Sequence, residues 1–350
     1  MKQSNKSRRT FLQHLAMAGI ASQTLLRTGS VKAAAAEAQG QVEGGLGWPD
    51  MAYQTLGRTG FEGSRLVFGC GAALGRRPRD QLLNAALEAG VNVFDVGTGR
   101  YYSDAERNMA NFLAKARDDI FLVSKSIVYL DEEVGPGDSI TPTQAKQGAK
   151  VWLEVLEESL RDLKVDMIDA YYQMAANNTH LVGSEEMRMA FEQARDAGKI
   201  RFWGLSTHQN AQAVLEKAIE TGWYDLAMIA VTPAGWYDWD GKSILPGSPP
   251  MRGLAPLLAR AREAGIGLIG MKAARHLAGR NFLGWGDEDA FNDHYDEQFL
   301  AAKLTAFQRS YAFVLEHGVD AVNADIQNFL HLQENFTAAA TSRQYFANTA

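Results

Sequence analysis

One cysteine, Cys70, is the entire thiol complement of the 350 residues. An intramolecular disulfide, a cysteine-ligated zinc site and an iron–sulfur cluster are thereby excluded. The chain has no uninterrupted run of 18 or more apolar residues, so it offers no ordinary membrane span. Basic residues are the minority, 35 Lys and Arg against 41 Asp and Glu, a formal net charge of −6. That balance argues against a general nucleic-acid binder, which needs a basic surface. No Gly-x-Gly-x-x-Gly opens an early strand-to-helix turn, which weakens an open dinucleotide-binding sheet. What is present, 46% apolar and 22% charged, describes a soluble globular chain with ample length for a core.

Acidic residues are also missing locally. Residues 1–36 contain Lys2, Lys6, Arg8, Arg9, Arg27 and Lys32 and no Asp or Glu. Ser7-Arg8-Arg9-Thr10-Phe11-Leu12-Gln13 looks like a twin-arginine export signal. A moderately apolar stretch over 15–26 follows, then a small-residue run over 33–36 that suits a signal peptidase. A disordered basic tail is the alternative, but it does not require that order of segments. The expectation is a twin-arginine signal peptide over 1–36, cleaved near Ala35 or Ala36, delivery to the periplasm or outside by the twin-arginine machinery, and a linker over 37–50. An intact amino terminus in the exported fraction, read by mass spectrometry, would contradict it. Beyond the segment 29 basic residues face 41 acidic ones, so the mature charge is near −12.

Residues 51–350 alternate between short β-branched runs and longer amphipathic stretches, the pattern of parallel strands joined by crossover helices. Strands are expected over 66–69, 91–95, 120–125, 167–172, 200–205, 226–231, 267–272 and 321–324. Helices are expected over 79–88, 104–116, 143–163, 185–197, 211–221, 254–264, 304–317 and 330–340. Gly90, Gly198, Gly222, Gly265 and Gly318 stand just past helix ends, where a left-handed residue stops a helix. Eight such units fit a single-domain (β/α)8 TIM barrel. Two short segments, 52–56 and 62–64, read as an amino-terminal β-hairpin that caps the barrel bottom. Chemistry then belongs at the carboxyl ends of the strands.

Three groups meet at that rim. The second strand ends in Asp95, its loop carries Tyr101 and Tyr102, and the third strand ends in Lys125. A phenol has an ordinary pKa of about 10, and an ammonium nearby lowers it by stabilising phenolate. A carboxylate can hold that ammonium in place. Such a tyrosine delivers a proton to a carbonyl oxygen while hydride reaches the carbon. A structural Asp95–Lys125 pair in the barrel mouth is the alternative.

At this point the chain resembles the aldo/keto reductase superfamily. The resemblance is carried by Leu56-Gly57-Arg58-Thr59-Gly60 with Ser64, by Phe68-Gly69-Cys70-Gly71, and by Gly90-Val91-Asn92-Val93-Phe94-Asp95 followed by Tyr102 and Glu106. It continues in Phe121-Leu122-Val123-Ser124-Lys125, in the segment from Gly198 through Trp203-Gly204-Leu205-Ser206, and in Gln333-Glu334-Asn335. It spans residues 53–340 with the motifs in order. It implies a (β/α) barrel and a nicotinamide cofactor, NADPH or NADH, with the 2′-phosphorylated form usual in the family.

The resemblance also implies roles. The family tetrad is Asp, Tyr, Lys and His; Asp95, Tyr102 and Lys125 match the first three, with Tyr101 as a substitute for Tyr102. The fourth position holds Met174, which cannot donate a useful hydrogen bond. Gln173 should face the other way along its strand, and His180 reads as a surface residue. For the cofactor, Ser206 matches the residue that holds the nicotinamide amide, and Glu334 and Asn335 match the end of the clamp. Met228 stands where a glutamine is usual. Asp325 stands in the turn that should receive phosphate, leaving Lys272, with Arg275 close behind, as the compensating cation; a solvated basic pair is the alternative. No metal site is expected.

Two loops complete the sequence picture. Residues 233–250 carry Trp236, Tyr237 and Trp239, and residues 276–296 carry Phe282, Trp285, Phe291 and His294. They could wall a pocket for an apolar or sugar-like carbonyl compound, or pack the loops themselves. The function expected is NAD(P)H-linked reduction of an aldehyde or ketone, or the reverse oxidation, slowed or specialised by Met174. The alternatives are a non-redox ligand-binding or scaffold barrel, prompted by Met174, Met228 and Asp325, and an isomerase or lyase using Tyr102 and Lys125.

Overall fold

The structure, a computed structural model, describes residues 48–128, 134–278 and 286–346. The signal segment, most of the linker, Phe282 and Trp285 lie outside the described residues.

Eight parallel strands close into a barrel: β3 (Leu66–Gly69), β4 (Val93–Asp95), β5 (Phe121–Ile127), β6 (Ile168–Met174), β7 (Ile200–Thr207), β8 (Leu226–Thr232), β11 (Gly267–Met271) and β12 (Ala321–Asp325). Each pairs with the next, β7 pairs with β8, and β12 returns to β3. All eight expected strands are present. The expected start at residue 91 moves to Val93 because Asn92 is used otherwise. Its side chain accepts from the Ser64 amide at 2.7 Å and donates to the Glu62 carbonyl at 3.0 Å, tying the second unit to the hairpin.

Eight principal helices surround the barrel: α1 (Asp80–Glu88), α2 (Ala105–Ala116), α3 (Pro142–Leu163), α4 (Glu185–Asp196), α5 (Ala211–Thr221), α6 (Ala255–Glu263), α7 (Ala306–Glu316) and α8 (Phe329–Thr341). Their starts follow from local chemistry. Thr141 and Gln144 form a reciprocal capping box with Pro142 in the first turn, and Thr305 and Gln308 form a second box. All five expected helix-stop glycines have positive φ. Among the described residues no helix is long and apolar enough to cross a membrane.

Strand alternation divides the core in two. Val67, Val93, Val123, Ala170, Leu226 and Ile269 fill the barrel interior, while Leu66, Phe94, Leu122, Ile168, Trp203 and Leu268 pack outward under the helices. The hairpin β1 (Tyr53–Thr55) with β2 (Glu62–Ser64) closes the bottom. Its Leu56 is fully buried in the inner cluster, and Phe61 packs on Phe121 with centroids 4.9 Å apart. Gly57 is required there: at φ +52 a Cβ would lie 2.2 Å from the Gly267 amide nitrogen. With the bottom plugged, the open end is the carboxyl-terminal rim.

Residues 233–250 are no loose loop. β9 (Gly235–Asp238) folds back antiparallel on β8 and pairs with β10 (Ser243–Ile244), which builds a small hairpin over the rim. Trp236 joins the outer core and Tyr237 the inner one, while Trp239 packs half-buried against the inner cluster. Phe291 packs into a satellite cluster with Ala274, Leu277 and Ala306. For these residues, packing is what the structure records.

Candidate active site

Asp95 ends β4 and points inward; Lys125, two residues short of the end of β5, does the same. Both are buried, and their side chains form a hydrogen-bonded ion pair. Lys125 Nζ also donates to the Val96 carbonyl at 2.5 Å. The second carboxylate oxygen of Asp95 accepts from Asn323 Nδ2 at 2.6 Å, across from β12. Burial pushes the Asp95 carboxyl above its ordinary range, opposed by Lys125 and Asn323. The pair is held on both sides, so neither charge moves freely.

Tyr102 reaches the pair because the chain doubles back. After β4 the Val96 amide donates to the Val123 carbonyl at 2.9 Å and the Thr98 amide to the Lys125 carbonyl at 3.1 Å. Thr98 then caps the short helical turn Gly99–Tyr102. This turn absorbs the long spacing between Asp95 and Tyr102, and it ends at Ser103 with φ 57 and ψ −121, an uncommon backbone for a side-chain-bearing residue. The Tyr102 ring lies between two glycines. A Cβ on Gly71 would be 2.7 Å from Cε1, and one on Gly97 would be 2.9 Å from Cε2. Tyr101 packs edge-on against Tyr102 at 4.8 Å but is 47% exposed. Of the two phenols, Tyr102 is the one inside the rim.

The electrostatics differ from the sequence expectation in one respect. Lys125 does not lower the Tyr102 pKa. Burial pushes it up, and Asp95, Tyr101 and Asp325 push the same way. The reason is geometric: the ammonium is spent on Asp95 and the Val96 carbonyl. Tyr102 therefore stands as a firmly protonated O–H donor rather than an incipient phenolate.

Glu106 has a structural task. It is buried on α2, accepts from Ser124 Oγ at 2.6 Å, and also bonds Ser159 and the Gly99 amide. It ties the Tyr102 turn to β5 beside Lys125. Cys70 is fully buried, its amide donates to the Asp95 carbonyl at 2.7 Å, and burial pushes its thiol well up. It supports β4 and is not a reactive thiolate.

Met174, Ser206 and Met228 lie side by side in register on β6, β7 and β8, all buried, Met174 and Ser206 at the ends of their strands and Met228 two residues into β8. The serine is thus flanked by both family departures. Gln173 faces outward in register with outer-core Leu205, and His180 is exposed on a short helical turn. Lys272 follows β11 at φ +67, with its Nζ 4.6 Å from the Trp239 ring centroid. Glu334 lies apart on α8, where it accepts from Thr305 Oγ1 at 2.6 Å; its neighbour Asn335 is buried. Asp325 is exposed and accepts from Gln327 Nε2 at 2.7 Å. Among the described residues no cluster of metal-ligating side chains occurs.

Three residues escaped the sequence reading. Asn323 orients Asp95. Tyr172, in register with Lys125, places a buried hydroxyl without a hydrogen-bond partner among the described residues beneath the rim. His208, two residues past Ser206, lies 5.4 Å ring to ring from Trp239. Burial and the ammonium groups of Lys272, Lys125 and Lys242 push its imidazole down to about 3. Only the alternation of β7 hints at such a residue from sequence, by carrying the inward face on from Ser206.

The chain is 28% identical over 174 residues to a 6-dehydroglucose reductase of Novosphingobium aromaticivorans, covering 46% of this chain and 53% of that one. It is 32% identical over 136 residues to the methylglyoxal reductase YeaE of Escherichia coli, covering 37% of this chain and 39% of that one. The matches thus span about half the length of these relatives or less. Among solved structures, an aldo-keto reductase from Klebsiella pneumoniae in complex with NADPH superposes with TM-score 0.58 at 19% identity, over 83% of this chain and 89% of that one. The model of the "Aldo/keto reductase family" matches residues 66–327, three quarters of the chain. The chain belongs to the aldo/keto reductase family.

Proposed function

We propose that the protein is a nicotinamide-dependent oxidoreductase that reduces a small aldehyde or ketone, or oxidises the corresponding alcohol. The observation that carries this reading is the Tyr102 ring seated against Gly97, next to Lys125 and within the field of Asp95, at the rim of a barrel plugged at its bottom. Family membership, the reductase names of the two relatives and the NADPH complex of the Klebsiella protein support it. NADPH is the favoured form.

The residues fit the nicotinamide end of such a cofactor. Ser206 offers a buried hydroxyl at the strand ends, in the row that leads to the rim. Glu334 and Asn335 stand toward the cofactor's far end, on α8, and a phosphate contact for Lys272 is what the family resemblance alone implies. Reduced nicotinamide supplies hydride when bound. This chain's own part is the proton. Tyr102 Oη donates it to the substrate oxygen. Burial keeps the phenol protonated until that moment, and Asp95, itself held by Asn323, fixes the Lys125 ammonium at the same rim.

Asp325, with Met174 and Met228 on either side of Ser206, favours a second reading, a barrel that binds ligands without redox chemistry, because a carboxylate stands where phosphate is expected. Titration with NADPH and NADH, followed by tryptophan quenching or nicotinamide fluorescence, separates the two. Micromolar binding weakened by Ser206→Ala is the expected result; no binding at millimolar cofactor contradicts the reductase reading.

Export remains our proposal on the sequence of residues 1–36. So does the assignment of residues 51–350 as the catalytic unit.

A further inference from the structure

Lys242 and Lys272 come from different elements and meet on one indole. Lys242 lies in the hairpin between β9 and β10, with its Nζ 3.3 Å from the centroid of the Trp239 ring. Lys272 arrives from the end of β11, 4.6 Å from the same centroid. An aromatic face attracts an ammonium but does not neutralise it. Among the described residues neither lysine has a carboxylate within salt-bridge distance.

Two unneutralised ammonium groups this close disfavour each other. Burial, Arg275, Lys242 and Lys125 together push Lys272 down to about 8, against the pull of Asp325. The imidazole of His208, on the edge of the same indole, feels three of these ammonium groups and stays neutral. A locally positive rim in a chain with more acids than bases favours an anion, and an anion placed here would relieve the repulsion.

Position decides which anion. Trp239 packs against the inner barrel cluster, whose members include Tyr237, Met228 and Tyr172. His208, whose ring lies 5.4 Å from that of Trp239, feels the ammonium groups of both Lys125 and Lys272, which puts the indole on the Lys125 side of the rim, whereas Glu334 and Asn335 sit on the outer helix α8. We propose that Trp239, Lys242 and Lys272 form a seat for the carboxylate of an anionic carbonyl substrate, in place of the phosphate contact that the family resemblance implies for Lys272, so that the enzyme prefers oxo acids over neutral aldehydes. This rests on the reductase reading above.

The test uses succinic semialdehyde and butyraldehyde, which differ chiefly in the terminal carboxylate. At pH 7 the expected kcat/KM ratio favours the acid by about tenfold or more, as one charge-assisted contact provides. Lys242→Met collapses the ratio toward one through KM, and Lys242→Arg retains it. Lys272 is faced by Asp325, Asp95, Arg275, Lys242, Lys125 and His208. As it loses its proton above about pH 8, the preference fades. A ratio near one in the native protein, or a ratio unchanged in Lys242→Met, overturns the seat. An NADPH Kd raised in Lys242→Met as much as the KM overturns it too, because the seat then belongs to cofactor phosphate. A binding arm without cofactor, quenching of tryptophan by the two aldehydes, keeps the claims apart. Preferential binding of the acid with no cofactor consumption leaves the seat standing and removes the reductase reading; turnover without preference does the reverse.

Discussion

Tyr102→Phe is expected to lower carbonyl reduction by about 100- to 10,000-fold, the usual contribution of a positioned proton donor. The change removes one oxygen and little else. The ring stays in its slot between Gly71 and Gly97, where its packing does not depend on the hydroxyl. Cofactor affinity and melting temperature should therefore stay close to native, and the loss should fall on kcat. Tyr101→Phe is the internal control. Its side chain is nearly half exposed, so a change within about threefold is expected, in line with a surface substitution. Steady-state kinetics on both variants checks the assignment. Native turnover in Tyr102→Phe, or a large loss only in Tyr101→Phe, would show that the proton comes from elsewhere, and Tyr172 beneath the rim would be the next candidate.

Asp95→Asn is expected to have the largest effect on stability. Asp95 and Lys125 are both buried, and removing one charge leaves the other without a counter-ion in a low-dielectric site. Breaking such a pair costs about 3–5 kcal/mol, because desolvation of the remaining charge is no longer offset. The amide also meets the Asn323 donor, so one of the two orients badly. Urea denaturation should show the midpoint falling with little change in slope. The double variant Asp95→Asn with Lys125→Met removes the unpaired charge as well. It should recover part of the stability lost while remaining inactive. A single variant as stable as native would mean that the pair is solvated and that Asp95 does not hold Lys125.

Much of this architecture is local, and local chemistry is legible in a chain. Thr141-Pro142 with Gln144 announces a helix start wherever it occurs, and Gly222 and Gly265 announce helix ends. The parity of β4 and β5 places Asp95 and Lys125 on the inward face without any knowledge of their partners. The choice between Tyr101 and Tyr102 is different. It depends on a slot made by Gly71 and Gly97, two glycines from separate strand ends, and only the folded turn reveals it. Long-range partners decide the electrostatics too. An ammonium near a phenol should lower its pKa, but Asp95 and the Val96 carbonyl claim that ammonium first. Asn323 is 228 positions from the aspartate it orients, and His208 gains meaning only when a hairpin brings Trp239 over the rim.

The central claim is hydride transfer at this rim with Tyr102 supplying the proton. The most direct measurement is a single turnover with NADPH carrying deuterium at the reactive carbon and a small aldehyde as acceptor, with the product read by mass spectrometry. The predicted result is an alcohol one mass unit heavier, formed at a rate that collapses in Tyr102→Phe. Product formed without deuterium, or no consumption of reduced cofactor with any carbonyl compound, would contradict it.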